Sequence, residues 1–248
     1  MQIDNTDVII VRNCSHFTNV QTGILSSDGF FKLTIKKAFT SEGCSSLQDE
    51  YEGAKSFCEH LKVDPSTYIK KFTNNNLYSE LHLEYKKGDI GNCHSGLPKN
   101  FINLLALIKF YQINMINDEL NFSHGDLSVS NVIFLNDEVN WIIDWENYNE
   151  VLPIYYDLVY CLTELVLFSF VRNGKKVDRD TVGQYWDLFM KIENIFNLPN
   201  EIRNSPASWL RREVSEYVNS GNHSLQKCPF IQNNPEIIIE LDRALCSF

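Results

Sequence analysis

The residues with the clearest chemical content lie in two short segments, Phe122-Ser-His-Gly-Asp-Leu-Ser-Val-Ser-Asn131 and Ile142-Ile-Asp-Trp-Glu146. Asp126 and Asn131 stand five apart, and Asp144 follows Asn131 by thirteen. A phosphoryl group in transfer asks little covalent chemistry of a protein. It needs hard oxygen ligands that hold Mg²⁺, and a carboxylate that orients the attacking oxygen and accepts its proton. Asp126 supplies such a carboxylate, and Asn131 with Asp144 supplies the oxygens. His124, Asp126, Asn131 and Asp144 at four fixed positions would arise by chance in about one chain of this size in a thousand. The competing reading makes Asp126 and Asn131 turn residues and Asp144 a strand-end cap.

Such residues must be held by a frame. Two short β runs, Asn131 to Leu135 and Val139 to Asp144, joined by Asn136-Asp137-Glu138, predict a hairpin that carries Asn131 and Asp144 to neighbouring strand ends. The first ninety residues alternate like a small antiparallel sheet. Strands are expected at Asp7 to Arg12, Thr22 to Leu25, Phe30 to Lys36, Thr67 to Phe72 and Tyr78 to Tyr85, with turns at 26–29 and 73–76. Between the third and fourth strands, Leu47, Tyr51, Ala54, Cys58 and Leu61 recur at helical spacing, with Ser45 or Ser46 as N-cap. On that helix Glu50 falls at the edge of the apolar stripe and Glu52 points away. After 88 the character becomes helical: an apolar helix from Phe101 to Ile116, then Ile154 to Val171, Thr181 to Phe196, Pro206 to Asn219 and one beyond Pro235.

Composition bounds the partners. The chain has 248 residues, 44% hydrophobic and 22% charged, which is a globular balance able to bury a core without disulfide staples. Seven Cys with no CxxC pair fit neither a disulfide framework nor a zinc ribbon, so a reducing cytoplasm is expected. With Lys+Arg 22 against Asp+Glu 32, the net charge of -10 and the lack of a basic cluster argue against nucleic acid. The most apolar stretch, Ile154 to Val171, carries Asp157 and Glu164 and reads as a buried helix, so no membrane span is expected. His16, His60, His82, His94 and His223 have no metal-ligand spacing, and His124 reads as a ring that shapes its loop.

The segments HGDLSVSN and IDWE resemble the catalytic loop and metal-binding motif of the aminoglycoside phosphotransferase and choline kinase group of small-molecule kinases. Phe17-Thr18-Asn19 resembles that group's nucleotide-loop signature, although Ser15-His16 stands where the family has two glycines. Phe30-Phe31-Lys32-Leu33 resembles the strand carrying the phosphate-binding Lys or Arg, and Leu83-Glu84-Tyr85 resembles the segment that receives adenine. The likeness covers about residues 8 to 165 and is strongest from His124 to Glu164.

The resemblance implies an α+β, protein-kinase-like two-lobed fold: a small antiparallel β N-lobe with one helix over 1–88, and a mainly helical C-lobe over 89–248. It implies ATP and Mg²⁺ as cofactors and a small hydroxyl-bearing acceptor as substrate. Asp126 would be the base and Asn131 and Asp144 the Mg²⁺ ligands. Thr18, Asn19, Glu84 and Tyr85 would bind nucleotide, as would Lys32 positioned by Glu50. Lys36 and Lys37 are rivals for the role of Lys32, but at the strand's end they read as solvated charges.

Only twelve residues separate Asp144 from the Asp157 end of the next helix, too few for a peptide-docking platform, so a small acceptor is favoured over a protein. Asp157 and Glu164, seven apart on one helix face, match the Asp-x6-Glu pattern of choline-kinase-like members, and the resemblance also implies that the Asp supports the catalytic loop. With Glu146 they are the expected acceptor residues, joined by Tyr148, Trp186 or Trp209 through cation-π contact. Amino alcohol and sugar or aminoglycoside acceptors both fit. The alternative is a catalytically weak or inactive kinase-like module that binds nucleotide and works by interaction.

Overall fold

The computed structural model describes residues 6–13, 20–27, 30–92, 95, 97–115, 123–148, 152, 155–172, 179–205, 208–209 and 212. The chain divides into two compact units, one of Met1–Lys87 with Asp144–Tyr148, the other of Gly88–Ile143 with Asn149–Phe248. The expected order is the observed one, an antiparallel sheet with one helix followed by a mainly helical unit. The inclusion of 144–148 in the first unit is the departure from a simple division at 88.

In the first unit, β1 (Thr6–Asn13), β2 (Gln21–Ser27), β3 (Phe30–Ala38), β4 (Ile69–Asn74) and β5 (Ser79–Glu84) form one sheet in the order β1-β2-β3-β5-β4, every pair antiparallel. Helix α1 (Ser41–His60) packs across β3, β5 and β4. It buries Leu47, Ala54, Phe57 and Cys58 completely, and Tyr51 stacks on Phe72 of β4 at 4.4 Å. The helix begins four residues before the expected Ser45, because Thr40 caps it: its Oγ1 accepts from Gly43 N at 3.1 Å.

In the second unit, β6 (Asp89–Ile90), β7 (Val132–Leu135) and β8 (Glu138–Ile142) form a second antiparallel sheet. The β7–β8 turn has Asn136 and Asp137 at φ 53 and 60. Two left-handed central residues are what a primed hairpin turn requires, and Asn and Asp tolerate them best. Helix α2 (Leu97–Asn114) packs on β8, α3 (Tyr155–Arg172) and α4 (Arg179–Phe196) pack on α2 and on each other, and the short α5 (Asn200–Asn204) follows. Helix α2 starts earlier than expected and is two-sided. Leu104, Leu107, Ile108 and Tyr111 are buried, whereas Ile102, Leu105 and Ile113 face solvent. Helix α3 is the most buried element, with Tyr156 to Cys161 nearly inaccessible. Of the expected helix over 206–219 only 208, 209 and 212 are described, and they are helical. The helix beyond Pro235 lies outside the described residues. Among the described residues no helix is long and apolar enough to cross a membrane.

Candidate active site

Glu50, placed by α1 toward β3, is 2% exposed. Its amine partner is Lys36, whose Nζ lies 2.7 and 2.8 Å from the two Glu50 oxygens and 2.5 Å from Asp144 Oδ1. Lys32 does not reach this site. Leu25 pairs with Leu33 and Ser26 with Phe31, which leaves Lys32 as the extra residue of a bulge, exposed, with its amine 5.6 Å from the Phe30 ring centroid. The expectation that Lys36 is a solvated charge is likewise reversed, because its side chain is 12% exposed. Helix α1 meets β3 near its Ala38 end, where Cys44 Sγ lies 3.6 Å from the Ala38 carbonyl and Glu50 reaches Lys36. Lys37, on the opposite face, pairs with Glu80 at 2.7 Å.

Burial opposes the Lys36 charge, but the charges and hydrogen bonds of Asp144 and Glu50 outweigh it and hold the amine well above its ordinary value. Glu50 is pushed up to about 7 by burial, against the pull of Lys36 and with the charges of Asp144 and Glu146 adding to the push. Two carboxylates, Glu50 and Asp144, thus share one amine.

Segment 144–148 is fixed to α1 by packing. Trp145, fully buried, stacks on Phe57 at 4.4 Å, and Glu146 Oε2 accepts from Ser46 Oγ. Gly53 makes this possible: a Cβ there would lie 2.6 Å from Tyr148 Cβ and 2.8 Å from the Trp145 carbonyl. Asp144 has φ 64, a left-handed conformation costly for a residue with a Cβ and one that concentrates at functional sites. Its side chain is 43% exposed.

In the second unit, residues 123–131 form a loop tied down from within and from α3. Gly125 takes φ 82, which glycine adopts without strain. Ser128 N and Asn131 Nδ2 both donate to the Asp126 carbonyl, at 3.0 and 2.9 Å. With its amide nitrogen so engaged, Asn131 keeps Oδ1 as an acceptor. His124 contacts the Ile143 carbonyl at 2.8 Å through Nε2, as expected of a loop-shaping ring.

Asp157 at the start of α3 is 0% exposed, and accepts from His124 N at 2.7 Å, Gly125 N at 3.0 Å and Tyr111 Oη at 2.9 Å. As an acceptor-binding residue it is therefore excluded by burial; it holds the loop. Burial pushes its carboxyl up to about 7 against the pull of these three donors. Glu164, two turns on, is also raised to about 7 by burial, with a Ser128 hydrogen bond opposing and the Asp126 charge adding. Tyr160 donates to Asp126 Oδ1 at 2.6 Å.

Several solved structures are similar to this chain over much of its length. The GDP complex of wild-type aminoglycoside 2'-phosphotransferase-IIIa is 15% identical, covering 97% of this chain and 95% of that one at a TM-score of 0.48. A putative fructosamine-3-kinase from Haemophilus somnus is 10% identical, covering 95% and 92% at a TM-score of 0.47. The phosphotransferase APH(3'')-Id from Streptomyces rimosus, in complex with ADP and streptomycin, is 12% identical, covering 77% and 92% at 0.42. No family model and no curated protein matches the chain.

The remaining expected residues are placed as follows. Glu84 pairs with Lys70 at 2.7 Å, and the N–H groups of Glu84 and Tyr85 already donate to the Tyr68 and Lys32 carbonyls. Neither N–H is left for a base. Thr18 and Asn19 lie outside the described residues. Trp209 is packed among Tyr155 and Tyr156, and Trp186 lies against Phe189. Both Trp contacts are those of core packing. Reasoning from the sequence missed Tyr160 and Tyr111. Tyr160 follows Asp157 by three and precedes Glu164 by four, so its face could have been read from helical spacing.

Among the described residues no group of three His, Cys, Asp or Glu side chains is set to hold a metal unaided. Mg²⁺ seldom needs one, being held by one or two carboxylates together with phosphates and water. Asp144 in the first unit, with its partly exposed carboxylate, and Asn131 in the second, through Oδ1, are each hard oxygen donors of the right type.

Proposed function

We propose that this chain is an ATP-dependent phosphotransferase that moves the γ-phosphoryl group to a hydroxyl of a small molecule. The observation that carries the reading is the strand-lysine to helix-glutamate pair, Lys36 with Glu50, joined to Asp144 of the IDWE segment. A lysine on the third strand paired to a glutamate on the following helix is the arrangement kinases use to hold nucleotide phosphates. Core packing does not call for two carboxylates on one buried lysine.

Each residue then has a role. Lys36, held extended by Glu50, binds the α- and β-phosphates. Asp144 and Asn131 hold Mg²⁺, which when bound neutralises charge on the phosphate oxygens. Asp126 takes the proton of the acceptor hydroxyl as that oxygen bonds to phosphorus and the bond to the ADP oxygen breaks. Asp157 keeps the loop in shape. Glu164 and Glu146 are the carboxylates left to meet an acceptor, and they favour a cationic amino alcohol or aminoglycoside over a neutral sugar.

The test is Mg²⁺-dependent ADP release against a panel of amino alcohols, sugars and aminoglycosides, with Asp126→Ala as the blank. Acceptor-dependent turnover in wild type and none in the variant is the expected result, and it names the acceptor class. Mg-ATP binding without turnover on any acceptor would favour the interaction module instead.

A further inference from the structure

The backbone around Asp126 is fixed by Asn131 and Ser128 on its carbonyl and by Asp157 on the two preceding N–H groups. None of these contacts acts on the Asp126 carboxylate. A contact that does comes from α3, where the Tyr160 hydroxyl donates to Oδ1 at 2.6 Å. The final torsion of an aspartate side chain is broad, so a fixed backbone alone does not aim the carboxylate. A 2.6 Å O–H···O⁻ bond is in the range of strong, charge-assisted ones. The donor itself cannot wander: Tyr160 is 3% exposed and its ring stacks on Tyr156.

We propose that Tyr160 is a positioning residue for Asp126, whose hydroxyl sets the rotation of the carboxylate and so aims it at the acceptor hydroxyl. This rests on the phosphotransfer reading above. A phenol suits the task because it is neutral and leaves the carboxylate its charge. Around it, the ionisable groups of α3 that act on Asp126 are Asp157 and Glu164, both acidic, and α2 contributes Tyr111 through Asp157. A neutral donor orients Asp126 without pairing away the charge that draws the proton.

Tyr160→Phe keeps the ring and its packing while removing the donor. It should lower kcat about ten- to a hundred-fold, the factor carried by one hydrogen bond to a charged group, with KM for Mg-ATP unchanged. In an Asp126→Asn background the same change should cost nothing further. Unchanged kcat in the single variant overturns the proposal, as does a loss that persists in full beside Asp126→Asn. A second readout is independent of turnover: a downfield hydroxyl proton in the ¹H NMR spectrum, expected in wild type and lost in both Tyr160→Phe and Asp126→Ala. Its survival in Asp126→Ala, which has no acceptor at that position, overturns the contact. If wild type turns over no acceptor, the phosphotransfer reading fails and the NMR signal still decides the contact.

Discussion

Glu50 in the first unit and Asp157 in the second are both buried carboxylates that burial pushes up to about 7, yet their partners differ in kind. Glu50 faces a cation, Lys36, which it shares with Asp144. Asp157 faces two backbone N–H groups and a phenol. An ion pair on a long side chain is a contact that can be redistributed, since Lys36 divides its amine between two carboxylates and a phosphate would compete for it. Backbone N–H groups cannot move without moving the loop. The first cluster is therefore built to respond to charge, and the second to keep a loop in one shape.

The sharpest way to break this contrast is at Lys36. Lys36→Met should lower turnover by about 10² to 10³, the effect of removing a preorganised electrostatic contact. It should also cost about 3 kcal/mol in urea unfolding, because Glu50 is left buried without its cation. Lys32→Met should leave stability within about 0.5 kcal/mol, as expected of an exposed bulge residue. A reversed outcome for the two lysines would return the assignment to Lys32.

Asp157→Asn tests the other cluster. The new amide can accept on one oxygen only and turns an N–H₂ toward donors, so about 2 kcal/mol of stability should be lost. Turnover should fall further than Mg-ATP affinity, because the loop carries Asp126 and one of the two proposed Mg²⁺ ligands, whereas the Lys36 cluster is left intact. Equal loss of nucleotide binding would show the clusters to be one.

Gly53→Ala should cost about 1 to 2 kcal/mol by forcing α1 off Trp145 and Tyr148, as overpacking does. The smallest effect expected is pH-dependent. Glu164 is raised in the folded state, so between about pH 4.5 and 7 the native protein holds a proton that the unfolded chain has released. Its contribution is complete below that window and is lost as pH rises through it. Glu164→Gln should then gain on wild type as pH rises across that window, by on the order of 1 kcal/mol, read as a difference in melting temperature. A constant difference across pH would place the titration elsewhere.

Much of the frame was legible in advance because it depends on local pattern. Period-two alternation marked the strands, period 3.6 marked α1, an apolar run interrupted by Asp157 and Glu164 marked α3, and Asn136-Asp137-Glu138 marked the hairpin turn. The direction of Glu50 followed from its angle on the helix, and Asp126, Asn131 and Asp144 stood out by type and spacing alone. The choice among Lys32, Lys36 and Lys37 could not be made the same way. Alternation puts Lys32 and Lys36 on one strand face, and what separates them is a bulge and the length of strand that α1 covers.

Residue types and their periods are properties of the chain, and they determined which elements form and which chemistry is on offer. Which lysine meets Glu50, that Asp157 holds a loop instead of an acceptor, and that Tyr160 reaches Asp126 are long-range facts. They depend on packing between elements far apart in sequence, where a shift of one strand residue or one helical turn exchanges one partner for another.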